Sequence, residues 1–238
     1  MMQELIQLAQ LVSLGFVLLL PLANPLTSMT LLLSLGRRIP YAERQKQITQ
    51  ASLYVFGIMI VTYYAGAVIM RSFGISIPGL RIAGGLIVAF IGFTMLFPTS
   101  SVDDIVEADA VSDELKKKTV TNIAFVPLAM PGTAGPGTIA LIISAASTVT
   151  EKMASQYPHW VLLLAPVLVF ALVSLLFWIC LRSAQRIVNF IGYGAIEAIS
   201  RVMGFLLVCM AVQFVINGIL EIIHDPNHFI VDHIHDAP

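Results

Sequence analysis

Six stretches of this chain contain no aspartate, glutamate, lysine or arginine and are long enough to cross a bilayer. A membrane-spanning helix needs about 20 mostly apolar residues, because the hydrocarbon core of a bilayer is about 30 Å thick. The stretches are 11–36, 47–70, 82–102, 119–150, 153–181 and 202–220. The pattern therefore predicts an all-α fold, a polytopic transmembrane helix bundle with six spans.

Similar proline-containing motifs interrupt the first and the fourth stretch. "PLANPLTSM" occupies residues 21–29, and "PLAMPGTAGPGT" occupies residues 127–138. Proline costs roughly 3 kcal/mol inside a helix, because it lacks a backbone N–H and clashes with the preceding turn. We therefore predict that helices 1 and 4 are broken within the membrane. The alternative for any one proline is a simple kink that neighbouring helices accommodate.

The two halves of the chain share several markers in the same order. The two Pro-Leu-Ala motifs come first, then Arg71 and Arg182, and then Arg-x-x-Gly at Arg81 and at Arg201. Each half holds three spans, so the second half would enter the membrane from the opposite side, the inverted-repeat pattern of many secondary transporters. The predicted organisation is a first three-span repeat at 1–98, a cytoplasmic linker at 99–118, a second three-span repeat at 119–223 and an extracytoplasmic tail at 224–238.

A broken helix begins again inside the membrane, and its new N-terminus presents hydrogen-bonding groups that can bind a ligand. The first N–H groups lack partners and carry the positive end of the helix dipole, while freed carbonyls precede the break. Two facing breaks would offer donors to a carboxylate and carbonyls to an ammonium group. Asn24 is the sharpest candidate, because Met130 takes its place in the second motif. The predicted substrate-binding residues are Asn24, Pro25, Thr27, Ser28, Met130, Pro131, Gly132, Thr133, Gly135, Pro136, Gly137 and Thr138.

Two further polar pairs lie four residues apart near or within the last span. Glu197 and Arg201 have the order that favours an ion pair on a helix, and we interpret them as a structural pair rather than a proton relay. Gln213 and Asn217 lie inside the span and would either line a cavity or bond across helices. No span contains the clustered carboxylates that indicate a strongly proton-coupled relay.

The distribution of charge predicts the orientation of the chain. Ten of the thirteen lysines and arginines fall in the loops on one side of the six predicted spans. The positive-inside rule places these loops in the cytoplasm and both termini in the periplasm. The N-terminal segment carries Glu4 and no basic side chain, so we expect a retained helix rather than a cleaved signal peptide.

The composition excludes several classes of protein. With 58% hydrophobic and 11% charged residues and a mean hydropathy of +0.88, the chain lies outside the soluble globular class. A net charge of −1 gives no indication that the protein binds nucleic acid. Cys180 and Cys209 are expected to pack as small apolar residues. Four of the five histidines lie in the tail at spacings that match no closed metal site, so we predict no metal there.

Several long motifs resemble those of the MarC family of bacterial inner-membrane proteins. They are "PLANPLT", "SIPGLRIAGGLIVAFIGFTMLFP", "NIAFVPLAMPGTAGPGTIA" and "EAISRVMGFLLVCMAVQFVINGILEII", and the resemblance covers almost the whole chain. This family is grouped with the LysE-like superfamily of six-span inverted-repeat proteins, which includes amino-acid exporters. Some relatives are described as transporters of small neutral amino acids. The thiol–disulfide carriers in the superfamily need a cysteine at each broken helix, whereas Asn24 and Met130 lie there in this chain.

We therefore expect a multi-pass protein of the bacterial inner membrane that transports or exports a small polar solute, such as a neutral amino acid. It would work by alternating access, without a cofactor and without enzymatic activity. The expected partners are the lipid bilayer and the solute, and nucleic acid is not expected. The sequence leaves open whether the protein forms a homo-oligomer. The alternative is a membrane scaffold or regulatory protein that moves no solute.

Overall fold

The computed structural model describes residues 2–36, 39–97, 122–130, 133–149 and 157–224, and within these ranges every regular element is helical. The predicted linker at 99–118, the tail beyond His224, and Pro131 and Gly132 at the second break lie outside the described residues. The helices are α1 (Met2–Leu19), α2 (Pro25–Leu35), α3 (Tyr41–Ser72), α4 (Ile77–Leu96), a π-helical turn (Ala124–Ala129), α5 (Pro136–Thr148), α6 (His159–Arg182), α7 (Ala184–Ile191) and α8 (Tyr193–His224).

Five of these helices, α1, α3, α4, α6 and α8, are long and apolar enough to cross a membrane. The predicted all-helical, multi-span class is therefore confirmed at that level. The remaining predicted span is the fourth along the chain, at 119–150. Its described part contains two regular elements, the π turn and α5. With 13 residues, α5 extends about 20 Å, which is shorter than the hydrocarbon core. Prolines and glycines divide this stretch into pieces that each fall short of a full span.

Local sequence explains where α3 ends and α4 begins. Gly74 has a φ of 64°, a left-handed conformation that glycine adopts without a steric penalty. Ser76 then caps α4, because its hydroxyl oxygen accepts a hydrogen bond from the backbone N–H of Gly79 at 3.2 Å. The two long helices are thereby joined by a tight corner.

Two antiparallel helix pairs form most of the bundle. Helix α4 lies against α8, and glycines permit a close approach: a Cβ added at Gly92 would lie 2.8 Å from the carbonyl oxygen of Gly204. Helix α3 lies against α6, where the Tyr64 hydroxyl donates to the carbonyl of Leu163 at 2.6 Å and the Ser174 hydroxyl donates to that of Ser52 at 2.7 Å. These polar contacts join the helices where apolar burial alone gives little specificity in lipid.

The core of the molecule lies around α2 and the π turn, between α3 and α6. Met29 of α2, Ile48 and Met59 of α3, Leu128 of the π turn and Phe177 of α6 are almost completely buried there. The outer faces of the long helices are apolar and exposed, as for Phe90 of α4 and Phe205 of α8. An apolar exterior around a packed centre is what a bilayer requires of a spanning helix. The centre of the bundle is thus built around the two proline-containing motifs.

Candidate functional site

The first proline motif separates α1 from α2. Helix α1 ends at Leu19 and α2 begins at Pro25, with turn-forming residues between them. Asn24 has an extended conformation (φ −64°, ψ 111°), and its Oδ1 accepts a hydrogen bond from the N–H of Leu26 at 3.0 Å. Asn24 is therefore the N-cap of α2, and Pro25 follows in the first-turn position that tolerates proline.

The other half of the Asn24 amide is buried without a partner. The side chain is 5% exposed, and Nδ2 has no hydrogen-bond partner among the residues that the structure describes. A buried amide donor in this state costs about 1–3 kcal/mol, so native proteins rarely keep one. Asn24 also lines a pocket of about 170 Å³. The other lining residues are all apolar: Leu20, Pro25, Leu26, Leu176, Ile199 and Met203.

The second motif departs from α-helical geometry over a longer segment. The π turn contains a cis peptide bond between Val126 and Pro127, and Met130 then adopts an extended conformation. Gly135 precedes α5 without a side chain to cap it, and Pro136 begins the helix. The hydroxyl of Thr138 donates to the carbonyl of Thr133 at 2.9 Å, which satisfies one acceptor of the irregular backbone.

The two motifs meet in the interior through buried hydroxyl groups. Ser28 of α2 donates from Oγ to the carbonyl oxygen of Leu128 at 3.0 Å, and the same Oγ lies 3.3 Å from Oγ1 of Thr133. Ser28 and Thr133 are both fully buried. Close packing continues beside them, since a Cβ added at Gly137 would lie 3.2 Å from Cδ2 of Leu22. The structure thus brings together segments that are about a hundred residues apart in sequence.

The remaining predicted residues of the two motifs are distributed around this contact. Pro25, Gly135 and Gly137 are buried, Thr27 and Met130 are half-buried, and Pro136 is exposed. The carbonyl of Thr27 accepts a hydrogen bond from the Thr30 hydroxyl, so this part of α2 is locally satisfied. Pro131 and Gly132 lie outside the described residues.

The two polar pairs on α8 lie on its exposed surface, away from the contact between Ser28 and Thr133. Arg201 donates to Glu197 at 2.5 Å, and each side chain is about half exposed. Gln213 donates from Nε2 to Oδ1 of Asn217 at 2.8 Å, and both residues are exposed. The structure therefore brings neither pair to the meeting point of the two motifs.

Sequence reasoning missed a polar cluster around Arg81. This arginine is 9% exposed, and it donates to Ser144 and to Thr148 of α5 at 2.8 Å each and forms an ion pair with Glu221 of α8. The cluster joins α4, α5 and α8. The sequence marks Arg81 only as a repeat marker and a loop cation. Its partner on α8 is 140 residues away, and no local pattern connects the two residues.

The electrostatics at the two motifs are those of a neutral site. None of the described residues that line the Asn24 pocket is charged. The N-terminus of α2 supplies a partial positive charge at Asn24, and the irregular backbone at the second motif supplies carbonyl oxygens. Among the described residues, no group of three histidine, cysteine, aspartate or glutamate side chains is placed to hold a metal ion. The arrangement offers one buried amide donor in an otherwise apolar pocket.

Comparison with known proteins gives one consistent result. The family profile described as "MarC family integral membrane protein" matches residues 9–223. The chain is 58% identical over 219 residues to the "UPF0056 inner membrane protein MarC" of Salmonella typhimurium (strain LT2), covering 92% of this chain and 98% of the relative. It is 60% identical over 219 residues to the protein of the same name in Escherichia coli (strain UTI89), again covering 92% of this chain and 98% of the relative. No solved structure matches the chain.

Proposed function

The chain belongs to the MarC family of integral membrane proteins, and on that premise we propose that it is a secondary transporter or exporter of a small solute, such as a neutral amino acid. The observation that carries the proposal is the buried amide of Asn24. Its Nδ2 has no hydrogen-bond acceptor among the described residues, and it lies beside a pocket at the N-terminus of α2. An unpaired buried donor is costly, and a ligand that accepts its hydrogen bond removes that cost.

The proposed architecture is six spans arranged as two inverted three-span repeats, with helices 1 and 4 broken. It is supported by the antiparallel pairing of α3 with α6 and of α4 with α8, since each pair joins corresponding helices of the two halves. A two-fold axis in the membrane plane requires antiparallel pairing of this kind. The excess of cations on one side supports cytoplasmic loops there and periplasmic termini.

The chemistry of the two motifs fits a zwitterion of modest size. Asn24 and the first N–H groups of α2 would donate to a carboxylate, and the carbonyl oxygen of Leu128 would accept from an ammonium group. Ser28 bonds both to the carbonyl oxygen of Leu128 and to Thr133, so a solute that enters would exchange contacts with these groups. The other residues proposed for the site are Pro25, Thr27, Met130, Gly135, Pro136, Gly137 and Thr138, together with Pro131 and Gly132, which the sequence adds and which lie outside the described residues.

In this proposal, the two repeats rock about the meeting point of the breaks and expose it to each side in turn. The mechanism requires no covalent step and no cofactor, and the protein acts as a carrier rather than as an enzyme. Its partners are the lipid bilayer and the solute, with no role for nucleic acid.

The test is counterflow in proteoliposomes that are preloaded with one neutral amino acid and supplied with labelled glycine, alanine, serine or threonine. Asn24→Ser is the informative variant, because serine retains an N-cap oxygen for α2 but removes the orphan amide. We expect stability within about 1 kcal/mol of the unchanged protein and exchange reduced at least about tenfold, which corresponds to one lost hydrogen bond to a charged group.

The matched control is Asn189→Ser, which removes an exposed amide on α7 that bonds only to Gln185 among its described neighbours. It should exchange solute at the unchanged rate. Absence of exchange in folded, unchanged protein would reject a transporter of these neutral amino acids and favour another solute, or a scaffold or regulatory protein that moves no solute. Equal exchange in the Asn24→Ser variant would reject Asn24 as a binding residue.

A further inference from the structure

One side of α8 combines pocket-lining residues with polar residues that are exposed inside a membrane span. Side chains three or four apart share a face of a helix. Starting from Ile199 and Met203, which line the Asn24 pocket, this spacing defines a stripe that continues toward the end of the helix. The stripe consists of Ile199, Met203, Leu206, Met210, Gln213, Asn217 and Glu221.

From Ile199 to Asn217 the stripe is separate from the face of α8 that packs on α4, and only its last residue, Glu221, bonds to α4, through Arg81. The packed face includes Gly204, Ala211 and Gly218, which are buried and lie within close contact distance of α4 atoms. Both amide residues on the stripe are exposed. From Met203 to Glu221 the stripe extends about 27 Å along the helix axis, close to the thickness of the hydrocarbon core.

Two exposed amides within a span are unfavourable against lipid. Gln213 and Asn217 share one hydrogen bond at 2.8 Å, and a pair of amides offers several more donors and acceptors. Hydrocarbon provides no partner for these groups, so each costs free energy there. Water satisfies them without further protein contacts. The amides therefore indicate contact with water rather than with lipid on this side of α8.

At its far end, the stripe reaches the ion pair between Glu221 and Arg81. Arg81 is held on α5 by Ser144 and Thr148, and Glu221 is about one third exposed. Ionisable groups at membrane depth usually face the bundle interior or a water-filled cavity. The exposed part of Glu221 thus lies on the same side as the two amides and places a charged group at the end of the stripe.

We propose that this stripe of α8 lines a water-filled route for small polar solutes between the Asn24 pocket and the Arg81–Glu221 pair. The inference rests on the proposed transport function for its biological purpose, but its physical content is access of water to one side of α8. Gln213 and Asn217 provide exchangeable hydrogen bonds between the two ends of the route, and the Arg81–Glu221 pair lies at the end away from the Asn24 pocket.

The test is cysteine accessibility in proteoliposomes with a charged, membrane-impermeant methanethiosulfonate reagent supplied on both sides. Native Cys180 and Cys209 are first replaced by alanine. Asn217→Cys is then compared with Ile216→Cys, and Gln213→Cys with Val212→Cys. Each control lies at nearly the same depth but is turned by about 100° onto the outer apolar face, where Ile216 and Val212 are exposed.

We expect the cysteines on the stripe to react at least about tenfold faster than their controls, because only a thiol in contact with water forms the reactive thiolate. Equal rates within each pair would overturn the route. A disulfide between two copies through Asn217→Cys would also overturn it and assign this face to contact with a second copy.

Labelling requires no solute flux, so the two proposals fail separately. Rapid labelling without counterflow would leave the water-filled route standing and reject transport. Counterflow with slow labelling would retain the transporter and reject this route.

Discussion

At the residue scale, the oxygen and the nitrogen of the Asn24 side-chain amide have different surroundings. Its oxygen caps α2 and its nitrogen is left as a buried donor without a described partner. Serine or aspartate would cap the helix about equally well, so capping alone does not explain the choice of asparagine. The position of Asn24 at a break is readable from the sequence. Its missing hydrogen bond is not, because burial and partners depend on side chains from α6 and α8.

Arg81 and Arg201 occupy corresponding places in the two proposed repeats, but their surroundings differ. Arg81 is buried and bonded to three side chains on two other helices, whereas Arg201 is half exposed and pairs with Glu197 on its own helix. Arg81→Gln should lower the free energy of unfolding by about 2–4 kcal/mol, because it leaves the partly buried Glu221 without its partner. The measurement is unfolding of purified protein in detergent micelles.

Arg201→Gln is the matched control, and it should cost no more than about 0.5 kcal/mol, the usual value of an exposed pair one helical turn apart. Equal losses of unfolding free energy in the two variants would contradict the inference that Arg81, and not Arg201, stabilises the fold. The sequence aligns these two arginines through the repeat. It does not indicate that only one of them is buried, since that depends on how α5 packs against α4.

At the scale of elements, the close approach of α4 and α8 depends on glycine. A Cβ at Gly92 would lie 2.8 Å from a carbonyl oxygen and 3.0 Å from a backbone nitrogen of α8, and backbone atoms cannot move aside as a side chain can. Gly92→Ala should therefore lower the free energy of unfolding by about 1–3 kcal/mol. The same unfolding measurement in micelles provides the comparison.

Gly57 on α3 is the control for this substitution, because nothing lies within 4 Å of a Cβ added there. Gly57→Ala should leave stability unchanged or raise it by up to about 1 kcal/mol, since alanine is the better helix former. A Gly92→Ala variant that is as stable as, or more stable than, the unchanged protein, as expected for Gly57→Ala, would show that helix propensity rather than close packing governs these positions.

Helix existence follows from the sequence more readily than helix limits. Helix α1 begins at Met2 rather than near residue 11, and α8 extends from Tyr193 to His224, well beyond the predicted span at 202–220. A charged residue such as Arg201 ends an apolar stretch but does not end a helix, because its side chain can reach the membrane surface. The prolines and glycines of the second motif, by contrast, act on the backbone directly, and α5 begins at Pro136 as the motif indicates.

At the scale of the whole molecule, the proposed repeats place the two proline motifs at one point in the interior. The sequence predicts two matching motifs but gives no distance between them. The contact between Ser28 and Thr133 depends on the packing of α2 and the π turn between α3 and α6, which involves residues far apart in sequence. The family comparison identifies the chain as a MarC-family integral membrane protein.

The central claim is that the two breaks meet and that their relative movement carries the solute. The most direct measurement is solute exchange by a Ser28→Cys/Thr133→Cys variant, with Cys180 and Cys209 replaced by alanine. The two hydroxyl oxygens lie 3.3 Å apart, close enough for cysteines at these positions to approach disulfide geometry. We predict that oxidation bridges the breaks and stops exchange, that a reductant restores it, and that each single-cysteine variant is insensitive to oxidation. Failure of the bridge to form, or undiminished exchange by protein shown to be bridged, would contradict the account.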